Sequence, residues 1–152
     1  MNAAGQRATQ GRDAVAYAGD VLPLEAWEQL KRHEGATLID VRTQPEWSFS
    51  GEPDLSSIGK KILKISWRFS SPPALNDQFC ASIKATGIPA DAPLFFLCRS
   101  GGRSRDAAAA MTAQGFTHCY NISNGFEGPP DAAHQRGNLE GWKASHLPWR
   151  QD

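Results

Sequence analysis

The sequence predicts a single α/β domain whose parallel sheet is covered by helices on both faces. Short apolar segments alternate with segments of helical character along the chain, which is the pattern of a parallel sheet connected by helices. A length of 152 residues suits one domain. A hydrophobic content of 40% is enough to fill one core.

The predicted domain begins after a polar segment at the start of the chain. Residues 1–17 lack apolar periodicity, so we expect a flexible leader there and the folded domain over 18–152. Pro23 suits the first position of a helix and Gly35 suits its end. These two residues predict a first helix over about 23–33.

Two predicted strands enclose a long connection in the first half of the domain. Residues 36–41 form a short apolar run ending in charged side chains, as expected for a strand buried on both faces. Residues 61–66 predict a second strand. The segment 43–60 between them contains two prolines and two glycines, which predict a loop.

The second half repeats the alternation of helix and strand. Asn76 is suited to cap a helix that ends at Gly87. Residues 93–97 predict a buried strand, and an alanine-rich helix follows over about 103–111. Residues 118–122 predict one more strand, which completes a parallel sheet.

Composition and charge exclude several classes of function. Sixteen basic residues balance sixteen acidic residues, so neither nucleic acid nor a membrane is expected as a partner. The polar N-terminus has no apolar signal segment, which favours a cytoplasmic location. The three cysteines Cys80, Cys98 and Cys119 lie far apart, without a CxxC pair or clustered histidines. Neither a disulfide framework nor a zinc site is therefore indicated.

Cys98 is the best candidate for a nucleophile. It follows a predicted buried strand, and open α/β sheets bind ligands at the carboxyl ends of their strands. Two glycines allow the next backbone N–H groups to turn inward, and the following helix directs its positive end at the sulfur. Two arginines add donors that match an oxyanion. The residues of this predicted active-site loop are Cys98, Arg99, Ser100, Gly101, Gly102, Arg103 and Ser104.

The segment from Phe96 to Ser104 resembles the active-site loop of the rhodanese, or thiosulfate sulfurtransferase-like, domains. The resemblance extends over about residues 20–149 and includes 38–42 and the closing Gly-Trp-Lys-Ala at 141–144. It implies that Cys98 attacks the outer sulfur of a donor, releases sulfite, and passes its persulfide to an acceptor. No metal or organic cofactor is implied.

The resemblance also implies roles for individual residues. The N–H groups of the loop would hold the persulfide, Arg99 would bind the departing sulfonate, and Arg103 would fix the loop. Asp40 and Arg42 are candidates for orienting the loop, although they could equally form an ordinary charged strand end. The two loop arginines favour thiosulfate over mercaptopyruvate as the donor. Cyanide, a small thiol or a protein would be the acceptor.

Two other functions compete with sulfur transfer. A phosphatase or arsenate reductase is the weaker enzymatic alternative, because phosphatases of this architecture have five residues between cysteine and arginine, whereas four separate Cys98 from Arg103. The other alternative is a rhodanese-type module that carries sulfur or binds a partner without turnover. Two segments, 51–59 and 124–140, depart from the family pattern, which leaves the choice of acceptor open. Cys80 and Cys119 are expected to be structural.

Overall fold

A five-stranded parallel sheet forms the centre of the fold in a computed structural model that describes residues 17–151. In chain order the elements are β1 (Gly19–Val21), α1 (Pro23–Arg32), β2 (Thr37–Asp40), α2 (Gln44–Ser50), β3 (Glu52–Pro53), a 3₁₀ turn (Ser56–Ile58), β4 (Leu63–Lys64), β5 (Arg68–Ser70), β6 (Pro73–Leu75), α3 (Phe79–Ala85), β7 (Leu94–Leu97), α4 (Gly102–Ala113), β8 (Cys119–Ile122) and β9 (Trp149–Arg150). The strand order in the sheet is β1-β8-β7-β2-β4, so β7 lies in the middle.

The sheet is buried on both faces, which confirms the predicted α/β architecture. Alternate residues of each strand point to opposite faces, and the two faces accordingly belong to two separate hydrophobic clusters. Phe96 packs with α3 and α4 on one face. Phe95 packs with α1 and with Trp142 and Leu147 of the C-terminal segment on the other.

The alanine-rich sequence of α4 explains how this helix comes close to the sheet. Ser104, Ala107, Ala108 and Met111 face inward and are fully buried. Small side chains on that face bring the helix axis near the strands. The N-terminus of α4 is thereby held beside the end of β7.

The segment 43–60 is not the continuous loop predicted from its prolines and glycines. Residues 44–50 form α2, because Glu46 accepts hydrogen bonds from the backbone N–H and the hydroxyl of Thr43 at 3.1 and 3.0 Å. This is the Glu half of a capping box, and Pro45 lies in the first helical turn, where a missing N–H has no cost. Pro45 therefore lies in the first turn of a helix and does not interrupt one.

The other differences from the predicted elements are smaller. The predicted strand over 61–66 is reduced to β4, which pairs with β2 through residues 63–64 only. The short strand β1 was not predicted from the sequence. The expected leader over 1–17 falls outside the described residues, apart from Tyr17. In the described part of the chain, no helix is long and apolar enough to cross a membrane.

Candidate active site

Cys98 lies directly after the central strand β7, at the carboxyl edge of the sheet. Its side chain is 1% exposed. The backbone N–H of Gly101 donates a hydrogen bond to Sγ at 3.1 Å, and the hydroxyl of Ser104 lies 3.2 Å from Sγ. Gly101 has a φ of 115°, a conformation that favours glycine. The loop thus turns back over the sulfur as it enters α4.

The hydroxyl of Ser104 links the sulfur to the neighbouring strand β8. Ser104 Oγ lies 2.5 Å from Oδ1 of Asn121, to which it donates a hydrogen bond. Both residues are buried, since Ser104 is 0% and Asn121 is 4% exposed. The sulfur therefore lies at one end of a buried polar chain that continues into the sheet.

The guanidinium of Arg103 is bound by a carboxylate of α2. Its two terminal nitrogens donate to the two oxygens of Glu46 at 2.7 and 2.8 Å. Burial alone would raise the pKa of Glu46, but the hydrogen bonds and the charge of Arg103, with help from Thr43, lower this pKa to about 2. The same hydrogen bond to Glu46 raises the pKa of Arg103. The pair is thus fully ionised near neutral pH, and it ties α4 to α2.

The remaining loop residues lie at the rim of the site. Arg99 and Ser100 are exposed, and so is Gly102. The carbonyl oxygen of Arg99 accepts hydrogen bonds from the N–H groups of Glu127 and Gly128 at 3.0 and 3.1 Å. The Arg99 backbone is therefore fixed, while its guanidinium stays in solvent within reach of an incoming anion.

Asp40 and Arg42 form a buried ion pair at the end of β2, next to β7 in the sheet. Both side chains are fully buried, with Nη2 of Arg42 2.7 Å from Oδ2 of Asp40. Arg42 also donates to the carbonyl oxygen of Gly51 at 2.9 Å, and its guanidinium stacks 4.3 Å from the centre of the Phe126 ring. The backbone N–H of Phe126 donates to the carbonyl oxygen of Cys98 at 2.8 Å. The ion pair therefore reaches the loop through Phe126.

Three residues that sequence reasoning did not select belong to this arrangement, namely Glu46, Asn121 and Phe126. Glu46 could have been recognised from the sequence, because Thr43-Gln44-Pro45-Glu46 has the form of a capping box with a proline in the first helical turn. Asn121 is less easily recognised, as a polar residue in an otherwise apolar strand. Nothing in the local sequence of Phe126 distinguishes it from a core aromatic residue.

The other two cysteines lie outside this arrangement. Burial raises the pKa of the Cys119 thiol, which sits within the core beside α4. Burial likewise raises the pKa of the Cys80 thiol on α3. All three cysteines are free thiols.

Known proteins similar to this chain carry the same domain. A family model described as "STR4 middle domain" matches residues 20–152. An uncharacterized protein of Rickettsia rickettsii is 37% identical over 131 residues, which cover 86% of this chain and 96% of the relative. The rhodanese-like domain-containing protein 4 of Arabidopsis thaliana is 27% identical over 82% of this chain and 24% of the relative.

A named enzyme and a solved structure are also similar. The thiosulfate sulfurtransferase GlpE of Actinobacillus pleuropneumoniae is 25% identical over 72% of this chain and 83% of the relative. The crystal structure of Rv0390 from M. tuberculosis superposes with a TM-score of 0.82 at 48% identity, covering 90% of this chain and 99% of that one. The chain therefore belongs to the family described as STR4 middle domain, within the rhodanese-like superfamily.

Proposed function

We propose that this protein is a sulfurtransferase that moves sulfane sulfur from thiosulfate, or a similar donor, to a thiophilic acceptor through a persulfide on Cys98. The observation that carries the proposal is the position of the sulfur. Sγ lies inside a loop whose Gly101 N–H points at it from 3.1 Å, at the positive end of α4. Such a loop can stabilise one anionic sulfur.

The proposed reaction has two displacements. The Cys98 thiolate attacks the outer sulfur of thiosulfate, a new S–S bond forms on Sγ, and sulfite leaves with the electron pair of the broken bond. An acceptor such as cyanide then attacks the outer sulfur of the persulfide. Thiocyanate forms, and the thiolate of Cys98 is regenerated. No net oxidation or general base is required once the thiolate exists.

The loop arginines have different parts in this scheme. Arg99 is exposed at the rim, so its guanidinium can bind the sulfonate of the donor and then release sulfite. The guanidinium of Arg103 is engaged by Glu46 at 2.7 and 2.8 Å, so this residue holds the loop in place. The Asp40–Arg42 pair supports the loop indirectly, because Arg42 stacks on Phe126 and the Phe126 N–H donates to the carbonyl oxygen of Cys98.

Similarity supports the same reaction class. A relative named thiosulfate sulfurtransferase spans 72% of the chain. The four-residue interval between Cys98 and Arg103 favours one sulfur atom over a phosphoryl group. A cytoplasmic location remains a prediction from the sequence.

Mass spectrometry of the protein after incubation with thiosulfate tests the first displacement. We expect one added sulfur atom on the peptide that contains Cys98, removed by cyanide with formation of thiocyanate. Cys98→Ser should gain no sulfur. Cys80→Ser is the matched control, since it also loses one thiol but should load normally.

Other outcomes would point to other functions. Absence of added sulfur on a fully reduced protein would refute the thiosulfate reaction and favour a partner-binding module. Sulfur that loads but is never passed to cyanide or to a small thiol would indicate a carrier. Hydrolysis of a phosphate ester faster than sulfur transfer would refute the proposal in favour of a phosphatase.

A further inference from the structure

The hydrogen bonds around Ser104 contain a conflict that the proposed reaction must resolve. A serine hydroxyl has one proton to donate, but Ser104 Oγ lies 3.2 Å from Sγ of Cys98 and 2.5 Å from Oδ1 of Asn121. When Cys98 is a thiol, its S–H can donate to Ser104 while Ser104 donates to Asn121. When Cys98 is a thiolate, both neighbours of Ser104 require the same proton.

Asp20 decides which neighbour receives that proton. Nδ2 of Asn121 donates to Oδ1 of Asp20 at 3.0 Å, and the two residues are register partners on the parallel strands β1 and β8. An ionised carboxylate only accepts hydrogen bonds, so it fixes the NH₂ group of Asn121 towards Asp20. The carbonyl oxygen of Asn121 must then face Ser104, where it accepts the hydroxyl proton.

We infer that Asp20 is a positioning residue which, through Asn121, keeps the Ser104 proton away from the sulfur of Cys98. The Cys98 thiolate would then accept a hydrogen bond from the Gly101 N–H but none from the Ser104 hydroxyl. With one donor fewer, the thiolate is a smaller fraction of the protein at a given pH and a stronger nucleophile. The persulfide is not penalised in this way, because its Sγ is bonded to a second sulfur that bears the charge. The arrangement therefore favours the sulfur-loaded state over the bare thiolate.

The inference gains its biological meaning from the proposed function, but its test does not depend on sulfur transfer. The pH dependence of Cys98 alkylation by iodoacetamide reports the supply and the reactivity of the thiolate without any sulfur donor. Cys80→Ser/Cys119→Ser protein restricts the reaction to Cys98. If sulfur does not load but alkylation behaves as expected, the proposed function fails and the positioning role stands.

Asp20→Ala is the informative variant, because Asn121 can then reverse its amide and Ser104 can donate to the thiolate. A hydrogen bond to a charged group corresponds to about one pH unit, so we expect the alkylation midpoint to fall by about one unit. A better stabilised thiolate is a weaker nucleophile. The plateau rate at high pH should therefore fall by about threefold, a change that a loosened fold would not produce.

The same substitution in a Ser104→Ala background separates the hydroxyl from the charge. Without the hydroxyl, removal of Asp20 should leave the midpoint nearly unchanged. Asp106→Ala removes an exposed carboxylate of α4 and controls for net charge. Asp20→Leu keeps the approximate volume of the side chain, cannot accept a hydrogen bond from Asn121, and replaces the alanine variant if that variant does not fold.

The Asp20 and Ser104 variants retain the other charged and titratable groups near Cys98 and near Asp20. They are Arg99 and Arg103 with Glu46, the Asp40–Arg42 pair, Tyr17, which donates to Asp20, and Arg105, whose charge acts on Tyr17. An unchanged midpoint in Asp20→Ala, or an equal shift with and without the Ser104 hydroxyl, would overturn the inference.

Discussion

Replacing Glu46 with glutamine should remove the ionic link between α2 and the active-site loop without changing the size of the side chain. Of the two short hydrogen bonds from Arg103, at 2.7 and 2.8 Å, one would keep an uncharged acceptor and the other would be lost, because the glutamine NH₂ group only donates. Both side chains remain partly exposed, at 27% and 21%, so solvent screens the pair. We therefore expect the free energy of unfolding at pH 7 to fall by about 1–2 kcal/mol.

The pH dependence of this loss follows from the pKa of Glu46. Folding lowers this pKa from 4.5 to about 2, so the carboxylate stabilises the fold fully above pH 4.5 and loses this effect as the pH falls through 2. About 40% of the stabilisation should remain at pH 3. The difference between wild type and Glu46→Gln should accordingly shrink between pH 7 and pH 3.

Urea unfolding at the two pH values, followed by tryptophan fluorescence, measures this difference. Glu25→Gln is a matched control, because Glu25 also occupies the third position of a helix and accepts the N-cap N–H of Leu22 at 2.7 Å. Its loss should be smaller, and sulfur transfer should stay unchanged. Sulfur transfer by Glu46→Gln should fall about tenfold, which corresponds to 1.4 kcal/mol of loop positioning. A stability difference that is absent at pH 7, or equally large at pH 3, would refute this reasoning.

Other substitutions test the remaining parts of the site. Arg99→Ala should raise the KM for thiosulfate about tenfold in steady-state assays and leave the urea midpoint unchanged; an unaltered KM would remove its role in donor binding. Gly125→Ala should destabilise the fold by roughly 2–4 kcal/mol, because a Cβ there would press on the carbonyl oxygen of Cys98 and lie 2.6 Å from the carbonyl carbon of Arg99. Gly115→Ala is its control in thermal melts, with a positive φ but open space around the Cβ, and equal losses would contradict the proposed contact. Asp40→Ala should cost about 3–5 kcal/mol in the same melts by leaving Arg42 charged and unpaired, and a loss below 1 kcal/mol would show that the pair is not needed.

The sequence was sufficient to predict the central elements of the fold. The strand before Cys98 is a continuous apolar run, and the helix after it begins at glycine and is rich in alanine. Such patterns depend on burial that is local in the chain. The loop between them was therefore predictable as one unit, together with the arginines that it contains.

The partners of that loop could not be predicted in the same way. Glu46 meets Arg103 across 57 positions of the chain, and Asn121 meets Asp20 across 101. Pairings of this kind depend on strand order, which no local pattern encodes. The short strand β1 has only three residues, too few to show the alternation by which strands are recognised. The helix α2 was missed for a different reason, since its proline was interpreted as a break.

The wide spacing of these partners along the chain should also affect the order in which the protein folds. A chain in which β7 and α4 have met already presents its cysteine and Gly101, since these lie close in sequence. The carboxylate of α2 and the edge strand β1 join only through contacts between residues far apart in the chain, and we expect these contacts to form late because large loops must close first. Normal kinetics of the proposed sulfur loading would then report that β1 has docked and that folding is complete.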